Sequence, residues 1–186
     1  GIEKNDYVVV IADINHVKDG AIIEKIPFTT GTVTGTKGSK DVLVDGGTVT
    51  ATTGDVTVGT DAATRIGGAF TAQNGATVEA SDAAGSVKVH AGEDVKIADT
   101  SKVEAGLDVV LDAGKAVSVD GDVLAERGKV DIDAGATLTV SDDGTVKATA
   151  GAVEMTAKNA VSVTGEAAVE AGTSVTVKST AEGDIT

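Results

Sequence analysis

From about residue 85 onward the chain alternates apolar and polar residues in short units of the form Val-x-Val or Val-x-Ala, separated by turns rich in Gly, Asp, Asn and Ser. A period of two marks strands with one buried face. Three unit types recur in fixed order. The first runs Val87-Lys-Val89, Val109-Val-Leu111, Val130-Asp-Ile132, Val153-Glu-Met155 and Val175-Thr-Val177, at steps of 22, 21, 23 and 22 residues. The second runs Val95-Lys-Ile97, Val117-Ser-Val119, Leu138-Thr-Val140 and Val161-Ser-Val163, at steps of 22, 21 and 23. The third, Val103-Glu-Ala105, Val123-Leu-Ala125, Val146-Lys-Ala148 and Val169-Glu-Ala171, steps by 20, 23 and 23 and always ends in Ala.

A unit of this length holds a strand and a tight corner but no helix. Three strands per repeat make one turn of a coil, and strands of one type then stack in parallel roughly 4.8 Å apart. The pattern predicts an all-β fold, a right-handed three-faced parallel β-helix with about 22 residues per turn. An antiparallel sandwich with hairpins at about 8 to 12 residue spacing also alternates. It gives no reason for three unit types to recur in order or for Ala to keep to one of them.

Residues 45–84 continue the pattern with looser corners, through Val49-Thr-Ala51, Val56-Thr-Val58, Phe70-Thr-Ala72 and Val78-Glu-Ala80. The solenoid is therefore expected over 45–186, about six turns or a rod of roughly 30 Å. Residues 1–44 differ in kind, with a dense apolar run from Tyr7 to Ala12, Ala21-Ile-Ile23, the single Pro27 and two of the three aromatics. Open coil ends expose unpaired strand edges, so this stretch reads as a distinct β-rich N-terminal cap or joining segment. At the other end Gly183-Asp-Ile-Thr186 begins a further strand, as a cut inside a longer coil or an open end used for stacking.

Composition turns the pattern into a specification. The chain has 24 Gly, one Tyr, two Phe, no Trp and no Cys, yet is 41% hydrophobic. Small branched side chains fill a narrow bore, and Gly is expected to turn the corners through positive φ. The absence of Cys excludes disulfides, thiolate metal sites and a Cys nucleophile. A net charge of −14 argues against nucleic acid or an anionic membrane as partner. The Tyr7–Ala12 run is far too short to span a bilayer, so no membrane insertion is expected.

Candidate chemistry is sparse. His16 and His90 do not stand at a ligand spacing, and His90, directly after Val89, reads as a solvated corner histidine. The Asp13–Gly20 stretch alternates acidic and amide residues as a calcium loop does, but Val17 and Lys18 occupy the positions where a ligand and the Gly are needed. Lys37 and Lys40 lie in a Gly-rich loop without phosphate-loop spacing. The outward residues are Lys88, Val110, Asp131, Glu154 and Thr176 on the first face, Lys96, Ser118, Thr139 and Ser162 on the second, and Glu104, Leu124, Lys147 and Glu170 on the third. No face gathers an acid pair with a basic partner, and Arg65 and Arg127 are the only arginines. No catalysis and no cofactor are expected. One column stands out: three residues past the second face, successive turns carry Thr100, Asp122, Asp143 and Glu166. Three carboxylates about 5 Å apart need either solvent screening or a bound Ca²⁺. The irregular corners Asp61–Gly68 and Ala80–Gly85 are the places left for a carbohydrate or receptor site, without an aromatic platform for sugars.

The units in Ala113-Gly-Lys-Ala-Val-Ser-Val119 and Asn159-Ala-Val-Ser-Val-Thr-Gly165 resemble the repeats of filamentous-haemagglutinin-like adhesins and related large bacterial surface passengers, over roughly residues 45–186. The resemblance implies an extracellular or cell-surface rod, an adhesin stalk that holds binding regions of its parent toward a host or neighbouring-cell surface. The alternative is a subunit that stacks end to end with itself into a filament or surface layer through terminal strands.

Overall fold

The computed structural model describes residues 26–27, 33–35, 41–59, 61–181 and 183–186. Three parallel sheets wind into a β-solenoid of about 5 turns with ~23 residues per turn, and no helix interrupts them. The first sheet stacks Val33–Gly35, Val56–Val58, Val87–Ala91, Val109–Ala113, Val130–Ala134, Val153–Ala157 and Val175–Ser179. The second stacks Val42–Asp45, Phe70–Gln73, Val95–Ile97, Val117–Val119, Thr137–Val140 and Ala160–Val163. The third stacks Ile26–Pro27, Thr48–Ala51, Thr77–Ala80, Lys102–Ala105, Asp122–Ala125, Thr145–Ala148 and Ala168–Ala171.

The three unit types thus become three faces, in register. The coil also reaches further toward the N-terminus than its repeat pattern. Val42–Asp45 spans the boundary expected at residue 44, and both Ile26–Pro27 and Val33–Gly35 pair with strands of the next turn. The expected cap over the earliest residues, with Tyr7–Ala12, lies outside the described residues, as do His16, the Asp13–Gly20 stretch, Lys37 and Lys40.

Inward columns fill the bore. Val87, Val109, Val130 and Val153 form one, and Val89, Leu111, Ile132 and Met155 the next, all at 1% exposure or less. On the third face Ala51, Ala80, Ala105, Ala125 and Ala148 form a column of methyls against the corner. Phe70 is buried in register with Val42 and Val95, so the bore admits one aromatic ring beside the widest turns. Those turns use more residues per rung, since Val56 pairs with Val87 and Val42 with Phe70, which is why the chain makes fewer turns than its even period implies.

Two polar devices fix the corners. Asp41, Asp55, Asp94 and Asp108 each immediately precede a strand, and each accepts the backbone N–H at the entry of the strand stacked on it, from Ala69, Ser86, Ala116 and Lys129 at 2.8, 2.8, 3.0 and 2.8 Å. These amides lie at strand entries, where the ladder has not yet begun. Glycine serves the corners in two ways: Gly46, Gly54, Gly59, Gly75 and Gly165 have the expected positive φ, and others are selected by close approach. The repeated corner glycines Gly92, Gly114 and Gly135 do not have positive φ; they stack so closely that a Cβ on Gly114 would lie 2.2 Å from the Gly92 carbonyl oxygen. Close approach selects Gly there, because any side chain would push the rungs apart.

Candidate functional site

The most elaborate polar cluster on the outer surface arises where a strand is interrupted. On the first face Val56–Val58 pairs with Val87–Val89, but pairing with Ala91 is resumed only by Ile66. The chain leaves the sheet at Gly59, whose φ is +70° and whose added Cβ would lie 2.5 Å from the His90 carbonyl oxygen. Asp61 then closes a turn by accepting the Ala63 and Thr64 amides at 2.8 and 2.9 Å and the Thr64 hydroxyl at 3.0 Å. The return is anchored by Ile66, which is fully buried, donates its N–H to His90 O at 3.0 Å and accepts from Gly92 N at 2.8 Å.

This excursion brings Arg65 over the outer face of the sheet. Its guanidinium grips Asp112 at both oxygens, with Nε donating to Oδ2 at 3.1 Å and the terminal nitrogen to Oδ1. His90 Nδ1 lies 2.9 Å from the same Oδ2, so Nδ1 is the nitrogen that carries a proton toward the carboxylate. Asp112 points outward from its strand, yet is only 6% exposed because Arg65 and His90 cover it. Burial alone would raise its pKa; the hydrogen bonds from His90 and Arg65 win and hold the carboxyl below its ordinary value. In register on the next rung stands Asp133, whose pKa is raised, first by burial and then by the negative charges of Asp112 and Asp131. A shallow depression runs between His90, Val110, Asp112, Asp131 and Asp133.

The first face therefore gathers Asp112 and Asp133 with Arg65 and His90, contrary to the expectation that no face joins an acid pair to a basic partner. The expectation considered one outward residue per strand, Lys88, Val110 and Asp131. The same period of two makes His90, Asp112 and Asp133 a second outward column on that face. His90 accordingly sits in a strand with its side chain 13% exposed, not at a solvated corner. Chemically the cluster is a closed latch. Both Asp112 oxygens are occupied, by Arg65 and His90.

The proposed calcium column is not assembled. Asp122 lies within a strand, in register with Lys102 and Thr145, and Lys102 Nζ stands 3.8 Å from its carboxylate. Asp143 and Glu166 lie in corners. The corner before Val123 is shorter than those before Val146 and Val169, so equal counting from the second face puts Asp122 two places out of line. Among the described residues no group of three or more His, Cys, Asp or Glu could hold a metal ion. Several other outward charges pair across rungs, Lys88 with Asp55 at 2.7 Å, Lys129 with Glu154 at 3.1 Å and Lys147 with Glu170 at 2.6 Å, and Lys129 also meets Asp131 of its own rung at 2.8 Å. No helix among the described residues is long and apolar enough to cross a membrane.

Fold and surface together define a parallel β-solenoid repeat protein. Comparison with family models, curated proteins and solved structures finds no match to this chain.

Proposed function

We propose that the chain is a rod segment of a bacterial extracellular or cell-surface protein, an adhesin stalk whose function is reach and stiffness and not catalysis. The observation that supports this reading is the continuity of the three sheets, which hydrogen-bond every rung to the next around a bore filled chiefly by buried Val, Ala, Ile and Leu. Such a coil lengthens additively, each turn contributing about 4.8 Å. The likeness of the Val-x-Val units to filamentous-haemagglutinin-like repeats supports the location, and the −14 charge suits a solvated surface.

A second reading is favoured by one observation. In the last turn Val175 and Ile185 are 46% and 56% exposed, whereas their counterparts in inner turns are buried. A further turn or a second copy stacked on that edge would cover them, and the second copy gives an end-to-end filament. Small-angle scattering and negative-stain microscopy over a concentration series separate the two. Elongated monomers at all concentrations support the stalk. Mass growing into fibres, lost on deleting residues 1–14, supports the filament. Antibody labelling of intact cells of the source organism tests location, and staining only after permeabilisation would overturn both readings.

A further inference from the structure

Charged residues on adjacent rungs of this solenoid are generally paired by sign: Asp55 with Lys88, Glu93 with Lys115, Lys129 with Glu154 and Lys147 with Glu170. Three places set like charges directly opposite one another, which destabilises a sheet, and at Asp131 and Glu154 Lys129 bridges the two carboxylates. At Asp112 and Asp133 the excursion supplies Arg65. At Glu79 and Glu104, in register on the third face, no cation bridges the pair. Glu79 has no ion pair among the described residues, and the nearest cation to Glu104, Lys102 at 3.7 Å, is shared with Asp122.

Glu79 and Glu104 line a cavity of about 190 Å³ with Ser81 and Ala83 of the corner that follows Ala80, which is longer than the equivalent corners of later turns. Gly106 fits beneath it only as glycine, since a Cβ would lie 2.0 Å from Asp82 O. Leu124, next in register after Glu104, gives the cavity an apolar strip. Arg127 and Glu126 line its other side. Arg127 is exposed and forms no ion pair within 4.0 Å, although it shares the cavity with three carboxylates. Glu79 and Arg127, charges of opposite sign without an ion pair among the described residues, therefore border one cavity together with the apolar Leu124.

We propose that this cavity binds a free α-amino acid, its ammonium group on Glu79 and Glu104, its carboxylate on Arg127 and its side chain along Leu124. Each contact matches a charge or surface that the fold leaves uncompensated, and a guanidinium takes a carboxylate in a two-pronged grip. The site is independent of the rod reading, because it rests on one corner and not on the length of the coil.

The test is an amide chemical-shift titration of the ¹⁵N-labelled chain with L-leucine, with 3-methylbutylamine and 4-methylpentanoate as probes lacking the carboxylate and the ammonium. L-Leucine should shift amides at 79–83, 104–106 and 124–127 saturably in the millimolar range, and each one-charge probe should bind roughly tenfold more weakly. Glu104→Gln and Arg127→Ala should each weaken L-leucine about tenfold while the remaining spectrum stays unchanged. No saturable shift with L-leucine would overturn the proposal. So would an Arg127→Ala variant that binds L-leucine as well as or better than the parent, with the amine binding equally, since the cavity would then be a site for cations alone.

Discussion

Replacing Asp112 by Ala removes the carboxylate that ties the 59–65 excursion to the sheet. The loss comprises two hydrogen bonds from Arg65 and one from His90, all to an ionised acceptor that is 6% exposed. Hydrogen bonds to charged groups contribute about 1.5–3 kcal/mol each, and breaking a fully buried pair costs about 3–5 kcal/mol. The Arg65 side chain remains 29% exposed and can rehydrate, which puts the net cost at the low end, about 2–3 kcal/mol. Because the bonds hold a local excursion, this cost should appear in local opening before it appears in global unfolding.

Native-state hydrogen exchange reads it directly. The Ile66, Gly92 and Glu93 amides, which bond His90 O, Ile66 O and Gly68 O at 3.0, 2.8 and 3.0 Å, should exchange roughly 30- to 150-fold faster, the equivalent of that free energy. Amides of Val130–Ala157 should change far less. Asp112→Asn keeps the shape and one acceptor oxygen, so its effect should be smaller and of the same pattern. The pH dependence has a defined sign: a carboxyl held below its ordinary pKa stabilises the fold above that ordinary value, and the contribution is lost as pH falls through the depressed value. Ile66 protection should therefore fall more steeply on acidification in the parent than in Asp112→Ala, where the turn closed by Asp61 still titrates. If Ile66 exchange changes by less than about threefold in both variants, the latch does not hold the excursion and the reasoning fails.

Four further substitutions test the physics of the coil. Ala125→Val adds two methyls to a column in register with Ala105 and Ala148, and thermal melting should show a loss of about 1–3 kcal/mol from overpacking. Gly114→Ala should lower the melting temperature more than Gly75→Ala, because a Gly114 Cβ meets backbone at 2.2 Å while Gly75 has nothing within 4 Å and bears only the strain of its +75° φ; the reverse order would refute the close-stacking role of the corner glycines. Asp133→Asn should raise the melting temperature at neutral pH, since a raised carboxyl pKa marks charge that the fold disfavours. The gain should vanish as pH falls and Asp133 in the parent takes up its proton.

The faces were legible in the sequence because period-two alternation and a fixed order of unit types are set by the bore itself. The Val and Ala columns follow from that order alone, and register needed no further information. The corners were less legible. Gly92, Gly114 and Gly135 are visible as repeated glycines, but whether such a residue serves positive φ or close approach depends on the neighbouring rung, which lies about one turn away in sequence. The Asp122, Asp143 and Glu166 column failed for a related reason. Counting carried across a corner of variable length accumulates its error, whereas counting restarted at each strand would have matched Asp122 with Lys102 and Thr145.

In a solenoid the partners of a residue are the residues above and below it, and this explains why the Arg65 latch escaped attention although every component is in the sequence. His90, Asp112 and Asp133 form one column at the outward position after the second inward residue of the first face, and the two like charges in it require a cation from elsewhere. The strand pattern supplies none at that height. The one stretch where a first-face strand is delayed, between Val58 and Ile66, carries an Arg at its return. An insertion and an electrostatic deficit at neighbouring heights are two halves of one feature. The same logic, applied to Glu79 and Glu104, finds the deficit without an insertion that fills it, which is the physical distinction between a latch that closes on itself and a cavity open to a ligand.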